Sequence, residues 1–79
     1  MRFPRDAPKE QVLGAFSKLG FEMVREKEHI ALIRKNADGT NTPMTLPNHR
    51  HIKGSTLRSA CNQAGISGDV FMRAFAESR

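Results

Sequence analysis

The chain has 79 residues with one cysteine, and thirteen Lys and Arg stand against eight Asp and Glu for a net charge of +5. That length supports one small domain over residues 1–79 with a core from about residue 8 to 75, and a single cysteine excludes an internal disulfide. The longest uncharged apolar run, Ile30–Ile33, is far short of the ~18 residues of a membrane span, and Met1-Arg2-Phe3-Pro4-Arg5 has no apolar segment behind it, so the expectation is a cytoplasmic protein, neither secreted nor embedded.

In chain order, Asp6-Ala7-Pro8 opens a helix over roughly residues 7–19, with Asp6 as its cap, Pro8 in the first turn and Glu10 at the positive end of the dipole. Val12, Leu13, Phe16 and Leu19 recur at helical spacing, and Gly20 ends the stripe. Phe21, Met23 and Val24, then Ile30-Ala31-Leu32-Ile33, predict two strands of a hairpin around the charged turn Glu26-Lys27-Glu28. The turn-rich stretch Asn36-Ala37-Asp38-Gly39-Thr40-Asn41 leads to a third strand through Thr42, Met44 and Leu46. Pro43 and Pro47 place it at a sheet edge, because proline gives the ladder no donor. Asn48-His49-Arg50-His51 reads as a loop, and Gly54-Ser55-Thr56 caps a second helix with Leu57, Ala60, Cys61 and Ala64 on one face, closed by Gly65. A last helix from Ser67 buries Val70, Phe71, Ala74 and Phe75. The order α-β-β-β-α-α is α+β: a three-stranded antiparallel sheet with its helices on one face and the other face wet. Arg25, Lys27, His29, Lys35, Arg50 and Lys53 would lie on that wet face and its flanking loops.

The positive charge favours a polyanion, and nucleic acid is the leading partner class. Without Trp or Tyr, and with the Phe residues at core positions, a base-stacking sheet is not expected. His29 begins the second strand, with Arg25 four residues earlier and Lys27 in the turn. A histidine there can move a proton while cations hold a phosphate, and RNA carries its own nucleophile in the 2′-hydroxyl. From spacing alone the same residue reads first as a solvated or hydrogen-bonded histidine at a strand start. His49-x-His51 lacks the carboxylate or cysteine that would complete a zinc site, and the carboxylates Glu22, Glu26, Glu28, Asp38 and Asp69 are scattered, so no metal or other cofactor is expected. Lys53-Gly54-Ser55-Thr56 lacks the preceding glycine spacing of a nucleotide-binding loop, and fits either an ordinary helix start or a docking point for an RNA phosphate. Cys61 reads as a small buried hydrophobe, and Met23, Met44 and Met72 as core or near-core packing.

Gly20-Phe21-x-x-x-Arg25-x-x-x-His29-Ile30, Leu46-Pro47-Asn48-His49, Ile52-Lys53-Gly54-Ser55-Thr56-Leu57-Arg58 and Gln63-Ala64-Gly65-Ile66-Ser67, in that order, resemble the HicA (YcfA-like) mRNA interferase toxins over about Pro8 to Phe75. The resemblance implies a double-stranded-RNA-binding-domain-like (dsRBD-like) fold, cleavage of mRNA, and a HicB-like antitoxin as partner. It also implies that His29 is the catalytic histidine, with Lys27-Glu28 standing where the family commonly has Gly-Ser. The resulting expectation is the toxin of a type II toxin–antitoxin system: a metal-independent endoribonuclease that grips RNA through Arg25, Lys27, Lys35, Arg50 and Lys53, monomeric when free. Two rival readings are a non-catalytic duplex-RNA-binding module and a protein-interaction domain serving an acidic partner.

Overall fold

The computed structural model describes residues 3–78; Met1 and Arg2, part of the N-terminal reading above, lie outside the described residues. The elements run β1 (Asp6–Pro8), α1 (Lys9–Lys18), β2 (Phe21–Glu26), β3 (His29–Lys35), β4 (Asn41–Pro47), β5 (His51–Lys53), α2 (Gly54–Ala64) and α3 (Gly68–Glu77). The α+β order is the expected one: a helix, an antiparallel three-stranded sheet in the order β2-β3-β4, then two helices, consistent with a dsRBD-like fold.

Alternation builds the sheet. Ile30 lies opposite Leu46 and Leu32 opposite Met44, and all four are buried, whereas Ala31 opposite Thr45 and Ile33 opposite Pro43 turn to the other face. The apolar face packs under α1 and α2 in one cluster that includes Phe16, Phe21, Leu57 and Cys61. The third helix, α3, lies against α1, and Phe71 joins the two with its ring centroid 5.1 Å from that of Phe16. As expected for its prolines, β4 is an edge strand.

The structure departs from the sequence reading at the first helix. Asp6 does not cap it: α1 starts at Lys9, no side chain caps it, and Asp6–Pro8 is a strand paired antiparallel with β5. This pairing sets Asp6 across from Lys53 and buries Ala7 against Ile52, and the Lys9 amide donates to the Arg50 carbonyl at 2.9 Å. Burial of Ala7 and completion of a backbone ladder outweigh a single cap, a contribution of typically ~1 kcal/mol. His51 accordingly sits in a strand rather than in the predicted loop.

Met23 and Val24 are not core. They are 44% and 61% exposed: Met23 pairs with Leu32 on the helix-side face but stands on an edge strand, and the register slip between Met23 and Arg25 leaves Val24 without a partner on β3. Such a bulge bends the strand and re-aims the residues after it. Val70 is also 46% exposed, since the seam of α3 is centred on Phe71 and Ala74.

The second helix follows the sequence reading on its buried face and at Gly65, whose φ of 71° is the left-handed cap that glycine favours. Its start differs. Lys53 holds the cap position with no side-chain capping bond, and a Cβ on Gly54 would meet the Pro4 carbonyl oxygen at 2.5 Å. The glycine is there to let the chain before β1 press against α2.

Cys61 is buried among these helix contacts, and burial raises its thiol pKa to about 11. Because the raised value favours the folded state only while the thiol is protonated, this contribution is complete at neutral pH and falls as pH rises from the ordinary thiol range towards about 11. Cys61 in the native protein is expected to resist a disulfide reagent at mildly alkaline pH and to react promptly once urea unfolds it. Equal rates with and without urea would contradict its burial.

Candidate nucleic-acid interface

His29 is the first residue of β3 and is exposed on the face turned away from the helices. Two positions along the same face lies Ala31, and opposite Ala31 stands Arg25. Arg25 is therefore the diagonal cross-strand neighbour of His29, at a spacing of about 7–8 Å in such a ladder. The bulge after Met23 produces this arrangement, because it puts Arg25 rather than Val24 across from Ala31. Lys27 occupies the turn before His29, and its amide donates to the His29 carbonyl at 3.1 Å. The structure thus brings His29, Arg25 and Lys27 to one end of the sheet.

Asn48 holds that end in place. Its backbone amide donates to the Glu28 carbonyl at 3.2 Å, and its Nδ2 donates to the Lys27 carbonyl at 2.7 Å. Its Oδ1 accepts from Lys9 Nζ at 2.8 Å, and the same ammonium lies 3.6 Å from the Glu26 carboxylate. The turn carrying His29 is clipped through Asn48 to the first residue of α1. Lys9 and Asn48 were missed as part of the site; an Asn directly after the strand-ending Pro47 was the available signal, since such a side chain bonds readily to nearby backbone. Asn48→Ala is expected to lower stability by about 0.5–1.5 kcal/mol for each hydrogen bond removed and to speed hydrogen exchange of the turn amides, leaving exchange in α2 at its native rate. Unchanged protection at Lys27 and His29 would contradict the clip.

The remaining predicted cations are spread out. Lys35 ends β3, so six strand residues, or about 20 Å, separate it from His29 on the same face. Arg50 precedes β5, on the segment that follows Asn48, with His49 between them and both exposed. Lys53 is not on the three-stranded sheet. It ends β5 at the start of α2, on the wall of a separate groove with Arg5 and Arg58. Among the described residues the side chains of Arg25, Lys27, Lys35, Arg50 and Lys53 have no hydrogen-bond or ion-pair partner, so their charge faces solvent. His49 and His51 meet no third ligand: among the described residues no group of three His, Cys, Asp or Glu side chains sits together.

Chemically, this end of the sheet offers an accessible imidazole on a braced turn, near Arg25 and Lys27, two cations whose side chains have no partner among the described residues. Glu28 is the acid next to it, while Glu26 is occupied by Lys9. No helix among the described residues is long and apolar enough to cross a membrane. A family model described as HicA toxin of bacterial toxin–antitoxin matches residues 10–66, which hold the sheet, the braced turn and α2. No curated protein and no solved structure matches the chain.

Proposed function

The chain belongs to the HicA toxin family of bacterial toxin–antitoxin systems, and from that premise we propose that it is a single-domain, cytoplasmic mRNA interferase in which His29 transfers the proton. The observation that carries this reading is the family match across the segment that presents His29 beside Arg25 and Lys27 on the open sheet face. A 2′-hydroxyl of RNA approaching this end of the sheet meets a base able to take its proton, and the resulting oxyanion attacks the adjacent phosphorus. The phosphorane gathers negative charge that Arg25 and Lys27 stabilise, and the 5′-oxygen leaves, taking a proton from solvent water, as the ring of a 2′,3′-cyclic phosphate closes. Since the substrate supplies its own nucleophile, no metal-bound water is required.

A free enzyme of this kind would degrade the transcripts of its own cell, so a HicB-like antitoxin covering His29 is its natural control. A partner with an acidic surface would dock fast on the cations left unpaired here.

The test is incubation of purified protein with a long RNA in the presence of EDTA, with the new ends analysed for cyclic phosphate. Cleavage to cyclic-phosphate ends is the expected result. Tight RNA binding with no cleavage under any condition would favour a binding module instead and remove the catalytic role.

A further inference from the structure

Lys53 belongs to a second basic surface, on β5 and α2 rather than on the sheet end that carries His29. An open groove of about 1030 Å³ runs between the chain before β1 and the first turns of α2, and Arg5, Lys53 and Arg58 line it with Ser55 and Ser59. Its one acidic lining residue, Asp6, faces Lys53 across the β1–β5 ladder, leaving three cations to one carboxylate. All three cations are exposed, and none of their side chains has a hydrogen-bond or ion-pair partner among the described residues. The Gly54 amide at the helix start already donates to the Arg5 carbonyl at 3.0 Å.

The groove is a built feature. Phe3 stacks its ring 5.7 Å from that of buried Phe71, and the Pro4 carbonyl sits where a Cβ of residue 54 would be. These contacts fix Arg5 against β5 and α2 at one position. The lining is cationic and hydroxyl-bearing, the chemistry that recognises phosphate oxygens.

We propose that this groove is a second binding site for the RNA backbone, and this inference rests on the RNA reading of His29. Arg50 and His51 join the two surfaces along the segment from Asn48 to Lys53, which bends at Arg50 and so spans less than the ~17 Å of a fully extended chain. A long RNA spans the reactive end of the sheet and the groove together, while a dinucleotide reaches His29 alone. Arg5 and Arg58 therefore govern how tightly long substrates are held and leave the chemical step untouched.

The experiment measures binding of a labelled, unstructured RNA oligonucleotide across a salt titration, using the full chain with His29→Ala to prevent cleavage. The same chain is compared after adding Arg5→Ala with Arg58→Ala, and after adding the Lys pair at both positions. The alanine pair is expected to weaken binding about tenfold at moderate salt and to flatten the dependence of log K on log salt by about 1.4, or ~0.7 for each phosphate left without its arginine. The lysine pair should retain most of the slope. In the otherwise wild-type chain, the alanine pair should raise KM for a long RNA and leave dinucleotide cleavage unchanged. Equal affinity and slope for parent and alanine pair would overturn the groove and leave the RNA reading of His29 standing. Failure of the parent to bind RNA at all would overturn both. If the alanine pair weakened binding of poly-glutamate and not of RNA, the groove would belong to an acidic protein and the proposal would fall.

Discussion

His29→Ala is expected to produce a folded protein that cleaves RNA about 10²–10⁴-fold more slowly, the range over which a positioned acid or base contributes. The fold should not register the change. His29 is exposed at the start of β3, and the turn before it is held by the backbone of Lys27, Glu28 and His29 and by Asn48, none of which needs the imidazole. An unchanged thermal melt with the loss of cyclic-phosphate products is the required pair of results. Equal cleavage by the variant would show that the proton moves elsewhere, with exposed His49 the next residue to replace.

Phe71→Ala should have the largest effect on stability. Phe71 is fully buried, and its ring contacts Phe3 at 5.7 Å, Phe16 at 5.1 Å and Phe75 at 5.7 Å, so one side chain binds α3 to α1 and to the chain before β1. Truncating a buried Phe to Ala costs about 3–5 kcal/mol, while a domain of this length has only ~4–12 kcal/mol in total. At roughly 4–8 °C per kcal/mol, the melting midpoint should fall by about 12–40 °C. A drop of only a few degrees would mean that α3 contributes little to the folded state, and that α1 and the sheet are stable without it.

Helical periodicity made the buried face of α2 legible, because Leu57, Ala60, Cys61 and Ala64 repeat at the spacing that one face of a helix demands and Gly65 marks its end. Strand alternation did the same for Met44 and Leu46. Met23 resisted that logic, since nothing in its neighbours shows that β2 is an edge strand, and no residue type marked the bulge that follows it. Asp6-Ala7-Pro8 has the composition of a helix start, and only its partner His51-Ile52-Lys53, far along the chain, makes it a strand. The position of His29 at a strand start was readable from its neighbours, and the role proposed for it rests on resemblance. Asn48 was not read as a brace because its partners, two carbonyls of the β2–β3 turn and the Lys9 ammonium, are distant in the chain, and Lys53 was placed with the three-stranded sheet because local spacing says nothing about β1.

The ladder between β1 and β5 and the Lys9–Asn48 bond, which joins residues 39 apart, have a bearing on when during biosynthesis the turn before His29 is braced. Hairpins such as β2–β3 close short loops and form in microseconds, whereas contacts between distant segments wait for a larger loss of chain entropy. On the ribosome the first hairpin is exposed long before Asn48 and β5 emerge to brace it. The histidine turn thus forms with its hairpin, while its bracing by Asn48 and Lys9 is completed only after the segment up to β5 has emerged.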